Sequence, residues 1–200
     1  MKRGLPLAYR GQRIGLLGGS FDPPHAGHVH ITRQALGRFG LDHVWWIVSP
    51  GNPLKTDPVA DFAARMQACR KIMRHPRVTV SDIEARLHSS FTAETLARML
   101  ALYPGVRFVW LMGADNLTEF HRWRDWRGIA QSVPIGVMAR SGERVQAGLS
   151  RMASVYHASR IDPAQAGALP SHRAPAWCLL GGATVDISST DIRNKGRLRH

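Results

Sequence analysis

The chain has 200 residues, 44% of them hydrophobic, and carries 27 Lys and Arg against 14 Asp and Glu, a formal net charge of +13. That length suits one domain with a core of its own, and that composition excludes a disordered chain. No apolar run approaches a membrane span, the basic start Met1-Lys2-Arg3 leads into no signal-peptide core, and Cys69 and Cys178 stand far apart, as in a reduced, cytoplasmic protein with no metal site of its own.

Short apolar runs alternate with longer amphipathic stretches, which predicts an α/β fold, a Rossmann-like, doubly wound parallel sheet with helices on both faces. One domain is expected over 1–200, with 1–12 a flexible extension. The first strand is expected at 14–18. It runs straight into Gly18-Gly19-Ser20-Phe21-Asp22-Pro23-Pro24-His25-Ala26-Gly27-His28 and a helix over 28–39. Glycines let the backbone approach a ligand, and a helix N-terminus offers N–H groups and a positive dipole end to phosphate. Two histidines at His25-x-Gly27-His28 add donors aimed at the same spot. The loop reads as a nucleotide-phosphate site, against the plainer reading of a Gly-Pro turn capped by histidine.

Further along, strands are expected at 43–49, 78–81, 106–112, 134–139 and 177–180. Helices are expected at 58–74, 92–102, 115–131 and 189–194. Residues 141–175 have weak periodicity and are expected to wrap the domain as loop and short helix. Near the end stands Ile187-Ser188-Ser189-Thr190-Asp191-Ile192-Arg193. Its hydroxyls suit N-capping or phosphate binding, and Arg193, one turn further in, brings a planar fork that matches phosphate. The positive charge draws polyanions in general. It is spread along the chain, however, without zinc-finger spacing or an aromatic RNA-binding signature.

The two motifs together resemble the bacterial nicotinate mononucleotide adenylyltransferases, within the nucleotidyltransferases that carry H-x-G-H. Intermediate matches follow in order: Pro53-Leu54-Lys55, Arg65, Phe91-Thr92-Ala93-Glu94-Thr95-Leu96, Gly113-Ala114-Asp115-Asn116-Leu117, Trp123 with Trp126, and Arg140-Ser141-Gly142. Two positions depart from the family pattern, Leu54 where histidine is usual and Phe91 where tyrosine is frequent. Most members also continue past the last motif into a further helix.

The resemblance implies adenylyl transfer from ATP to nicotinate mononucleotide, releasing pyrophosphate, with magnesium held chiefly through the ATP phosphates. It places His25, His28, Lys55 and Arg193 at the chemistry. Gly18, Gly19, Ser20 and Phe21 would line the ATP loop. Ser188, Ser189, Thr190 and Arg193 would hold the β- and γ-phosphates, Gly113 and Asp115 the ribose, and Arg140 the adenine side. Asp22, Lys55, Thr92 and Trp123 would serve the nicotinate nucleotide, with Trp123 stacking on the ring and Thr92 also an N-cap. Asp22 reads equally well as a turn residue, and Trp126 reads as core. The partners implied are the two small substrates, without membrane or nucleic acid, and a homo-oligomer is left open. Two alternatives stand at this point: an adenylyltransferase for nicotinamide mononucleotide or phosphopantetheine, and a non-catalytic nucleotide or RNA binder.

Overall fold

The computed structural model describes residues 4–51, 60–139 and 144–181. Six strands form one parallel sheet: β1 Arg13–Gly19, β2 His43–Val48, β3 Val78–Ser81, β4 Arg107–Gly113, β5 Ile135–Ala139 and β6 Trp177–Gly181, in the spatial order β3-β2-β1-β4-β5-β6. Side chains alternate across a strand, so a sheet covered on both faces needs apolar residues at nearly every position. In β2, Trp45 and Ile47 face one core while Val44, Trp46 and Val48 face the other. The same parity puts Trp110 and Met112 of β4 in the first core, and Val109 and Leu111 in the second.

Helix α1, Ala26–Arg38, and helix α2, Phe62–Ile72, cover the second face with Ala35, Leu36, Met66 and Cys69. The first face is covered by α3 (Ile83–Leu87), α4 (Thr92–Leu102), α5 (Ala114–Glu119) and α6 (Trp126–Ser132), through residues such as Ile83, Leu96, Leu117 and Ile129. The doubly wound parallel architecture is the one expected. The described part of 141–175 forms short helices α7 (Arg144–Gly148) and α8 (Arg151–Val155) and two 3-10 stretches, burying Ala147, Met152, Ala166 and Leu169. Leu5 and Ala8 lie against the first core, and Tyr103 Oη donates to the Pro6 carbonyl at 2.8 Å. Among the described residues no helix is long and apolar enough to cross a membrane.

Three expectations are corrected. The helix over 115–131 is α5, a 3-10 turn over Phe120–Arg122 and α6, which starts after Asp125, whose backbone is left-handed (φ 50°, ψ 43°) and whose Oδ1 caps α6 by accepting from Gly128 N–H at 3.2 Å. The apolar spacing Leu117, Phe120, Ile129 runs on across this break and conceals it. Thr92 is not the cap of α4: Phe91 holds that position with extended backbone, and Thr92 is the first helical residue. Helix α1 starts at Ala26, two residues early, because the histidines themselves close its end. The expected helix at 189–194 lies outside the described residues.

Candidate functional site

The sheet grows outward in both directions from the β1–β4 pair, so the chain leaves these two strands toward opposite faces. Helix α1 follows β1 onto one face, and α5 follows β4 onto the other. That divergence opens a crevice beyond the carboxyl ends of β1 and β4, where doubly wound sheets bind ligands. Both glycine-bearing segments end there, Gly18-Gly19 from β1 and Gly113 from β4.

The loop after β1 is shaped from below. Phe21 adopts a left-handed backbone (φ 48°), a conformation that costs an aromatic residue about 1–3 kcal/mol and persists only when its surroundings impose it. Its ring supplies the compensation: it is buried, stacked on Trp46 at 4.8 Å and 15°, with the His28 ring tilted against it at 4.7 Å. Trp46 is fixed in turn by its Nε1–H donating to Thr32 Oγ1 at 2.7 Å. Whatever Phe21 offers a ligand is therefore backbone, and its side chain is a pedestal for His28.

His25 and His28 cap α1 reciprocally. His25 Nδ1 accepts from Gly27 N–H at 3.1 Å, and His28 Nδ1 accepts from His25 N–H at 3.2 Å. An imidazole nitrogen that accepts carries no proton, so each neutral ring holds its hydrogen on Nε2. The ring centroids lie 3.9 Å apart at the positive end of a 13-residue helix. Two oriented N–H donors beside a helix N-terminus suit a phosphate oxygen bearing developing charge. Asp22 and His25 are both buried in this loop.

Across the crevice, the start of α4 faces the connection between α5 and α6. Trp123 is half-buried, edge-on to Trp110 at 6.2 Å and to Phe120 at 5.3 Å. Its neighbour Arg124 lies over the Phe91 ring at 4.4 Å and within 3.5 Å of Glu94, so it ties the Trp123 segment to the residues around Thr92. The chain neighbours of Trp123 and of Thr92 are thus in contact. Asp115, exposed at the start of α5, lines a cavity of about 310 Å³ with Ala114, Asn116, Thr118, Glu119 and Gln146. Trp126 is buried in the core, as its spacing implies.

Several contributing residues escaped sequence reasoning. Trp110 fills the space beneath Gly18, and its Nε1 is the one buried side-chain polar atom without a hydrogen-bond partner among the described residues. Glu84 is buried, with Thr95 Oγ1 at 3.1 Å and Ser89 Oγ 2.9 Å beyond it. Burial pushes its carboxyl above the usual carboxylate range, offset in part by the hydrogen bond from Thr95. Arg65, quoted as a match but given no role, is buried against four carbonyl groups. A signal for it existed: Arg65 shares the stripe of Met66, Cys69 and Met73, where a cation is out of place. Lys55, Arg140, Ser188, Ser189, Thr190 and Arg193 lie outside the described residues. Among the described residues, no three His, Cys, Asp or Glu side chains gather to hold a metal ion.

The cytidylyltransferase-like family matches residues 16–195. Over 98% of its length the chain is 57% identical to a "Probable nicotinate-nucleotide adenylyltransferase" of Ruegeria pomeroyi, covering 92% of that protein. A protein of the same name from Cereibacter sphaeroides is 60% identical over 93% of this chain and 99% of its own length. The chain belongs to the nicotinate-nucleotide adenylyltransferase family. In architecture it is also similar to Plasmodium falciparum nicotinic acid mononucleotide adenylyltransferase complexed with NaAD. There the TM-score is 0.68 at 17% identity, over 92% of this chain and 83% of that one. In this nicotinate-nucleotide adenylyltransferase family member, Trp110 links the loop after β1 to the α4–Trp123 junction, lying beneath Gly18 and edge-on to Trp123.

Proposed function

We propose that the protein transfers the adenylyl group of ATP to nicotinate mononucleotide, giving nicotinate adenine dinucleotide and pyrophosphate in NAD biosynthesis. The observation that carries this reading is the histidine pair closing the N-terminus of α1, in a chain 57–60% identical to relatives that bear the name. The nucleophile is a phosphate monoester, already largely dianionic at neutral pH, so no strong base is needed. Its oxygen forms a bond to the α-phosphorus of ATP as the bond from that phosphorus to the bridging oxygen breaks, and the electron pair leaves with pyrophosphate. The task is to bring two anions together and to stabilise charge on the α-phosphoryl group, which is positioning and electrostatics.

In this reading His28 and His25 donate from Nε2 to the phosphates, and the backbone of Gly18, Gly19, Ser20 and Phe21 lies along them. Lys55 meets the incoming phosphate. Ser188, Ser189, Thr190 and Arg193 hold the β- and γ-phosphates, Gly113 and Asp115 the ribose, and Arg140 the adenine side. Asp22, Thr92 and Trp123 serve the nicotinate nucleotide, with Trp123 as a face for its ring. The donors described at the loop are imidazole and amide nitrogens, which suit anions and bind magnesium poorly, so they fit a Mg²⁺ held through ATP oxygens and water. Bound in that way, the ion would supply charge neutralisation for the pyrophosphate. The enzyme works on these small molecules in the cytoplasm.

The test is pyrophosphate release from ATP with nicotinate mononucleotide, nicotinamide mononucleotide and phosphopantetheine as acceptors. The expected result is the highest kcat/KM with nicotinate mononucleotide. A ratio of one or less against the amide would overturn the acceptor, and no release with any of them would overturn the reaction.

A further inference from the structure

The structure assigns Arg65 a task no sequence match gives it: we infer that it is the positioning residue that holds the phosphate loop in register with both ends of the segment bearing Lys55. Its guanidinium is buried at 3% exposure. Nη1 donates to the carbonyl oxygens of Ser20 at 2.6 Å and Ser49 at 2.7 Å, Nη2 to that of Pro50 at 3.1 Å, and Nε to that of Ala60 at 2.9 Å. Ser20 belongs to the loop between Gly19 and His25. Ser49 and Pro50 follow β2, and Ala60 stands just ahead of α2. One rigid planar group thus gathers three separate stretches of backbone, and Lys55 lies in sequence between two of them.

Among the described residues no carboxylate lies within ion-pair distance of Arg65, so its burial is compensated by the four carbonyl groups and by the Phe62 ring 5.4 Å away. What the guanidinium supplies is five N–H donors in a fixed fork, which a flexible side chain cannot reproduce. It also places a positive charge beneath the Ser20 carbonyl of the loop read as facing phosphate. A second tie meets the first at Ser49. Its Oγ donates to the Gly51 carbonyl at 2.7 Å, tying the residues after β2 to one another beside the guanidinium.

This inference rests on the proposed reaction for its kinetic readout and on hydrogen exchange for an independent one. Arg65→Lys keeps the charge and loses the fork, whereas Arg65→Met loses both. For Arg65→Lys we expect kcat for pyrophosphate release to fall about tenfold or more, since a misplacement of about 1 Å costs on the order of 10²-fold. KM values should move less than kcat, and the melting temperature should stay within a few degrees. Amides of residues 18–25 and 49–51 should exchange faster, with those of β4 and β5 unchanged. Arg65→Met should lose more activity and also weaken ATP binding, and if it fails to fold the lysine variant carries the test. A folded Arg65→Lys with kcat within twofold of the parent would overturn the inference. So would a loss of activity matched by the fraction unfolded at the assay temperature. If the parent itself releases no pyrophosphate, the proposed reaction fails. The exchange rates at residues 18–25 then decide the clamp alone, faster exchange upholding it and unchanged exchange overturning it.

Discussion

Gly18→Ala tests the link between the core and the phosphate loop. The added methyl carbon falls 2.5 Å from Trp110 Cη2 and 3.0 Å from Cζ2. Carbon atoms rest about 3.5–4.0 Å apart, so something must yield by roughly 1 Å. The indole is 2% exposed and set edge-on against Trp123, so if it moves, Trp123 moves with it. If it stays, the loop lifts. Overpacking of this kind costs about 1–3 kcal/mol, and in a chain of this size each kcal/mol lowers the melting temperature by about 2–4 °C. Either displacement disturbs a wall of the crevice, and kcat/KM should fall on the order of 10²-fold. Phenylalanine lacks the ring atoms that clash, so Gly18→Ala combined with Trp110→Phe should recover part of both losses, with a coupling of about 0.5–3 kcal/mol. Thermal melts and pyrophosphate release on the four proteins complete the cycle. A Gly18→Ala variant that melts with the parent and keeps its kcat/KM refutes the steric argument, and strict additivity refutes the role of Trp110.

His28→Ala should lower kcat by about 10²–10³ with little change in ATP affinity, because a preorganised donor acts most on the transition state. A variant retaining more than about a tenth of kcat would remove His28 from the chemistry. Arg193→Ala, and Ser189 with Thr190 both changed to alanine, should raise the KM for ATP more than that for the acceptor; steady-state kinetics decide. For Glu84, burial raises the folded pKa above the unfolded one, so the fold keeps a proton that the unfolded chain has released. Stability then declines as pH climbs from the unfolded value through the folded one. Glu84→Gln should melt above the parent at about pH 8, and the gap should close toward about pH 4; melts across that range check the sign.

The sheet was legible because parallel strands covered on both faces read as unbroken apolar runs, and strands such as β2, with Val44 to Val48 all buried, could hardly be mistaken. The phosphate loop was legible because glycines, prolines and histidines each mark backbone needs of their own. What sequence could not convey were effects that exist only across the fold. The pedestal of Phe21 on Trp46, and the filling of the space at Gly18 by Trp110, join residues from different strands. The capping by His25 and His28 was legible as the plainer reading of the loop, and the structure shows it. The break at Asp125 was missed because burial on both sides keeps the apolar spacing intact through it.

That break has an evolutionary side. Since α6 takes its rotational setting from the Asp125 cap and not from α5, the two pieces are not geared to each other. In an unbroken helix, adding or deleting one residue would swing everything beyond it by about 100° and turn Trp126, Ile129 and Ala130 away from the sheet. At the joint, the same change can be taken up before the cap resets the count. A length change in the few residues around Trp123 would therefore alter the reach of one aromatic side chain while leaving α6 in its setting on the sheet.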